Sequence, residues 1–138
     1  MRVRSVNSGL LLLRLILGWV FLWHGLGKLI GPPFPGGGVE GIHAVLAGTG
    51  FPVPGFLAWV VMLVETLGGL LLIAGWWTAV TAAVLTFEMI VAVAAVHFRN
   101  GIFGQGGWEL NLALCAGLLC LVLAGPGTYS LEKGRSVS

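Results

Sequence analysis

A histidine and a lysine, His24 and Lys28, interrupt one long apolar run at positions four apart. Four residues are little more than one helical turn, so the two side chains share a helix face. Glu65 and Glu88 each stand alone near the middle of a further apolar run, and Arg99 and Glu109 bracket the loop before the last run. Ionisable groups inside such runs are costly, and by default they mark a buried partner, a proton relay or a ligand site. Lys28, Arg99 and His24 are the groups that would attract an anion or a carbonyl oxygen. Glu65 and Glu88 are those that would pass protons. The competing role for the same residues is structural, in which Lys28, Arg99 or Arg14 pairs with an acid to fix helix register.

The elements that must position these groups follow from composition. Of 138 residues, 57% are hydrophobic and 9% are charged, with a mean hydropathy of +1.00. Soluble domains carry about 25% charged residues, so the solvent for this chain is the lipid bilayer. The chain reads as one membrane domain over residues 1–138. Four apolar spans are expected, at about 9–30, 55–74, 79–97 and 108–124. Residues 1–8 form a short polar lead. The first run is not a cleaved signal, because Arg14 interrupts it, it is too long, and no small-residue cleavage site follows.

A Gly/Pro-rich connection, residues 31–54, joins the first two spans. Within it Val39–Leu46 is expected to form a short interfacial helix, with Ile42, Val45 and Leu46 apolar and Glu40 and His43 on its wet side. Gly75-Trp76-Trp77-Thr78 reads as a tight turn with two belt aromatics. Four spans place both termini on one side. Arg2, Arg4, Lys133 and Arg135 then oppose Lys28 and Arg99, so the positive-inside rule puts the termini in the cytoplasm and the Gly/Pro-rich loop outside. The fold expectation is all-α, a transmembrane four-helix bundle.

Helical phase sharpens the candidate site. Thr81, Glu88 and Ala95 recur every seven residues, and Arg99 follows Glu88 by eleven, nearly in phase if the helix continues. Glu65 neighbours Gly68 and Gly69, and Glu109 shares a face with Ala113, Ala116 and Cys120. Acids on small-residue faces are expected to face the bundle. The six residues His24, Lys28, Glu65, Glu88, Arg99 and Glu109 therefore form one expected polar pocket, with Arg14 alone at the inner end.

Other chemistries find less support. Cys115 and Cys120 are five apart, about 140° around a helix, which suits neither a bridge within that helix nor a redox or zinc motif. His24, His43 and His97 are too dispersed for a metal claim. The net charge of +2 is small and scattered, which speaks against nucleic acid.

Trp23-His24-Gly25-Leu26-Gly27-Lys28-Leu29 resembles the "HGxxKL" element of the DoxX family of membrane proteins. Phe51-Pro52-Val53-Pro54 is similar to that family's loop before the second span. Glu65-Thr66-Leu67-Gly68-Gly69, running on to Gly75, resembles its Glu-to-Gly-Gly element. Met89 to His97 is similar to its third-span ending, and Gly107-Trp108-Glu109-Leu110 to the start of its fourth span. Gly125-Pro126-Gly127 with Ser130-Leu131 resembles its close, with Glu132 where Asp is frequent. The resemblance covers residues 9 to about 132.

What the resemblance implies is a four-helix integral membrane protein tied to oxidoreductase systems, among them thiosulfate:quinone oxidoreductase and a thiol and oxidative-stress complex. It implicates His24, Lys28, Glu65 and Glu109, whereas Glu88 and Arg99 come from depth and phase. Two functional expectations follow, with a third behind them. The first is a small membrane subunit of a redox system that handles a quinone or a thiol or sulfur substrate, with no cofactor motif of its own. The second is a non-catalytic accessory subunit among other membrane-protein subunits of a respiratory or photosynthetic complex. The third, a proton or solute pathway, rests on the buried acids alone.

Overall fold

The computed structural model describes residues 2–34 and 36–132, and among them it is helical with no strand. Helix α1 (Arg2–Ile30) is followed by α2 (Gly38–Gly48), α3 (Pro54–Ala74), α4 (Thr78–Ala92) and α5 (Glu109–Ala124). Three helical stretches are long and apolar enough to cross a membrane: Val3–Ile30, Pro54–Ala74 and Thr78–Asn100. The fourth, α5, is a shorter apolar helix. The result is a helical membrane bundle.

Two boundaries differ from expectation in instructive ways. The polar lead joins α1, because Asn7 and Ser8 return hydrogen bonds to the carbonyls of Val3 and Arg4 and so satisfy their own polarity inside the helix. At the other end of the bundle, α4 does not run smoothly to His97. A π-helical turn over Val93–His97 and a 3₁₀ turn over Phe98–Asn100 replace the regular spiral. The short helix α2 forms as expected, but only Leu46 is buried, whereas Val45 is exposed. Glu40 and His43 are exposed, as expected for its wet side.

Packing is closest between α1 and α3, and glycine makes it possible. A Cβ on Gly18 would stand 2.7 Å from the Gly69 carbonyl oxygen, and one on Gly69 would stand 2.5 Å from the Leu22 nitrogen. Gly25, one heptad after Gly18, meets the Thr66 backbone in the same way. Backbones at such separations gain dispersion energy that lipid tails cannot match. Helices α4 and α5 form a second close pair. Between the pairs lies an apolar core that includes Leu17, Phe21, Leu72, Leu85 and Leu118.

Residues 125–132 fold back over the end of the bundle where α1 begins. Asn7 Oδ1 accepts the Thr128 amide at 3.0 Å, and the amides of Leu131 and Glu132 donate to the carbonyls of Ala74 and Gly75 at 3.2 and 3.0 Å. The Glu132 carboxylate accepts the Thr78 amide at 3.0 Å, which caps the start of α4. The described ends of the chain therefore share one end of the bundle. Lys133 and Arg135, and the side chain of Arg2, lie outside the described residues.

Candidate functional site

Helix α1 presents Asn7, Arg14, Phe21 and Lys28 at intervals of seven, and the first three are buried. This stripe faces the interior, so Lys28 enters the bundle near its far end. There its ammonium pairs with the Glu65 carboxylate of α3, with Lys28 17% exposed and Glu65 3% exposed. The aliphatic stem of Lys28 runs beneath the connecting loop, where a Cβ on Gly36 would lie 3.3 Å from Lys28 Cγ. The loop therefore packs on the one cation of the site.

Glu88 of α4 completes the group. Its carboxyl interacts electrostatically with both Glu65 and Lys28. Both of its oxygens are enclosed and accept no hydrogen bond from a described donor, and its carboxyl stands against that of Glu65. One cation thus faces two acids, and it is bonded to one of them. The arrangement can hold a proton or present a carboxyl to a ligand. Lys28 spends one of its three ammonium donors on Glu65.

His24 is close in sequence but turned to another surface. Its Nδ1 lies 2.8 Å from the Val20 carbonyl oxygen. A carbonyl only accepts, so Nδ1 carries the hydrogen. The ring lines an open groove with Trp19, Val20 and Trp23. Trp19 and Trp23 lie 5.6 Å apart between ring centroids, and Phe34 meets Trp23 edge-on at 4.6 Å. No hydrogen bond or ion pair joins His24 to Lys28, Glu65 or Glu88 among the described residues.

Arg99 and Glu109 stand apart from this group. The helical phase that would align Arg99 with Glu88 is lost across the π turn, and Arg99 ends exposed on the 3₁₀ turn. Nearby, His97 and Asn100 both bond the Gly106 carbonyl at 3.0 Å, which ties the loop to the end of that turn. On α5 the buried face is Leu114, Leu118 and Leu121. Glu109, Ala113, Ala116 and Cys120 are exposed on the other side. The expectation that each acid faces the bundle holds for Glu65 and Glu88 and fails for Glu109, because bulky leucines rather than alanines fill the space between α5 and its neighbours.

A second polar group surrounds Arg14 at the end of the bundle where α1 begins. The guanidinium of Arg14 is 1% exposed and donates from Nη2 to the Tyr129 carbonyl. Glu132 supplies the nearby negative charge. Nε and Nη1 of Arg14, and the hydroxyl of Thr78, are buried without a hydrogen-bond partner among the described residues. The seven-residue steps from Arg14 through Phe21 to Lys28 are the available signal. The partner lies 115 positions away, beyond the reach of any periodicity. No trio of His, Cys, Asp or Glu suited to a metal occurs among the described residues, and Cys115 and Cys120 are free thiols.

Comparison with known proteins follows the same outline. The DoxX family model matches residues 9–98. The chain is 31% identical over 131 residues to the inner membrane protein YqjF of Escherichia coli, covering 92% of each chain. It is 30% identical over 129 residues to the putative oxidoreductase CatD of Bacillus subtilis, covering 94% of this chain and 88% of the relative. It is 32% identical over 136 residues to the uncharacterized membrane protein Rv3486 of Mycobacterium tuberculosis, covering 90% and 79%. No solved structure matches.

Proposed function

The chain belongs to the DoxX family, and from that premise we propose that it is a small membrane subunit of an oxidoreductase system. In this reading protonatable groups held inside the bilayer serve electron transfer involving a quinone or a thiol or sulfur substrate. The observation that carries it is the Lys28–Glu65 ion pair beside the enclosed carboxyl of Glu88, which no second cation reaches among the described residues. Structural pairing needs one acid for one cation, and the additional enclosed carboxyl is what a proton-handling site requires. The name of one relative, a putative oxidoreductase, points the same way. Electrons would pass through a quinone or a partner subunit, since the two cysteines form no redox motif. In this reading the termini face the cytoplasm and the loop lies outside, in the inner or plasma membrane, following Arg2, Arg4, Lys133 and Arg135 against Lys28 and Arg99.

The test compares quinone- and thiol-reductase activity of membranes carrying Glu65→Gln or Glu88→Gln with the parent. Loss of activity in a normally folded variant supports the redox role, and full retention overturns it.

The exposed face of α5 favours a second reading, an accessory subunit in a larger membrane complex. Ala113, Ala116 and Cys120 leave a shallow surface headed by Glu109, which a neighbouring helix would cover better than lipid does. Co-purification with a large complex and no activity alone would support it. A stable, active monomer or homo-oligomer would count against it.

A further inference from the structure

We propose that Glu88 is a proton-binding site, and that its proton exchanges only through the Lys28 end of the bundle. The assignment concerns the same polar group as the redox reading but stands without it, because it rests on charge balance and packing alone.

Consider first which acid is available. Glu65 has one oxygen bound to the Lys28 ammonium. Glu88 has two enclosed oxygens that meet no described donor, and its carboxyl lies against that of Glu65, a contact of two acceptors until one of them holds a proton. The groups facing it are Glu65 from α3 and Lys28 from α1. From α5, Asn111 turns to the Met89 sulfur at 3.5 Å, and Glu109 is exposed. No second cation therefore reaches the site among the described residues. A bare carboxylate enclosed in an apolar medium is strongly disfavoured. The missing positive charge is small enough to fit within a closed packing, and a proton meets that requirement. The step is a simple equilibrium in which the carboxylate takes up one proton to give the carboxylic acid and returns it.

Consider next where that proton goes. Arg14, the next ionisable group along the α1 stripe, lies fourteen residues from Lys28, about 21 Å along the axis. Phe21, Leu17, Leu72, Leu85 and Leu118 fill the interval, and each is buried. Residues 125–132 close the bundle beyond Arg14. Lys28, in contrast, retains some exposure beneath the loop. The polar group opens toward one end only.

Dicyclohexylcarbodiimide, an apolar reagent that captures protonated carboxyls, is the probe. The intact protein in lipid nanodiscs is treated at neutral and at alkaline pH, and adducts are mapped by mass spectrometry. The expected result is an adduct at Glu88 at least tenfold above those at Glu65 and Glu109, falling at alkaline pH. Lys28→Met should add a second adduct at Glu65, whose proton-free form has lost its cation. No adduct at Glu88, or one equally strong at Glu65 in the parent protein, overturns the assignment. Suppression of the Glu88 adduct by sodium at constant pH also overturns it, in favour of a metal cation. One-sided exchange is read in vesicles of known orientation, where acidifying the compartment at the Lys28 end should restore labelling and acidifying the other should not. Labelling that follows either compartment overturns the second half of the proposal. Reductase activity enters none of these readouts, so failure of the redox reading leaves them intact.

Discussion

The guanidinium of Arg14 and the α carbon of Gly75 occupy adjoining space so closely that no side chain fits at residue 75. A Cβ there would overlap Nη1 and stand 2.7 Å from Cζ of Arg14. Gly75 also closes α3 in a left-handed conformation, φ 68°, with its amide 2.9 Å from the Leu71 carbonyl. Gly75→Ala should therefore destabilise the protein by about 2 kcal/mol or more, from backbone strain together with overpacking. Thermal unfolding in detergent checks this, with Gly9→Ala, whose surroundings are open, as the silent control.

The α1–α3 contact makes a second demand. A Cβ on Gly25 would lie 2.6 Å from the Thr66 nitrogen. Gly25→Leu should prevent normal folding, and Gly25→Ala should lower the unfolding temperature by several degrees, in keeping with about 1–3 kcal/mol for overpacking. Equal tolerance at Gly25 and Gly9 would contradict the close helix contact.

Breaking the central ion pair should cost more than removing it. Lys28→Met leaves Glu65 uncompensated, a change expected to cost about 3–5 kcal/mol. The double variant Lys28→Met with Glu65→Leu should recover most of that loss. A double-mutant cycle measured by unfolding is the check. Additive single effects would show that the two residues do not act together.

Arg99 and Glu109, exposed and outside the polar group, should behave as ordinary surface positions. Arg99→Ala and Glu109→Gln should each change stability by no more than about 0.5 kcal/mol. In contrast, Glu132→Ala removes the acceptor of the Thr78 amide and the charge beside Arg14. The lost cap alone should cost about 1 kcal/mol.

Reconstituted vesicles should show no proton conductance attributable to this protein. Phe21, Leu72 and Leu85 part the Lys28 group from the Arg14 group with buried apolar side chains. A flux that depends on Glu88 would refute the closed interior.

These relationships differ in how far the sequence disclosed them. The spans were legible because an apolar run long enough to cross lipid leaves few alternatives, and the interior position of Glu65 followed from its neighbours Gly68 and Gly69. Arg99 lies out of phase with Glu88 because the helix widens over residues 93–97 into a π turn that no single residue type announces. Glu109 lies off the packed face because α5 packs through Leu114, Leu118 and Leu121 rather than through its small residues. The Arg14–Tyr129 contact joins residues from opposite ends of the chain, so only the folded molecule displays it.

The brevity of α5 reaches beyond the protein. Its sixteen residues extend about 24 Å, against a hydrocarbon thickness of about 30 Å, while α3 extends about 31 Å. Lipid beside α3 meets a matched wall, and lipid beside α5 meets a short one. The surrounding leaflets must pinch on that flank, and deformation of this kind is relieved when two short walls meet or when the molecule drifts to thinner membrane. The protein thus presents walls of unequal height to its annulus of lipids, with the low one at α5.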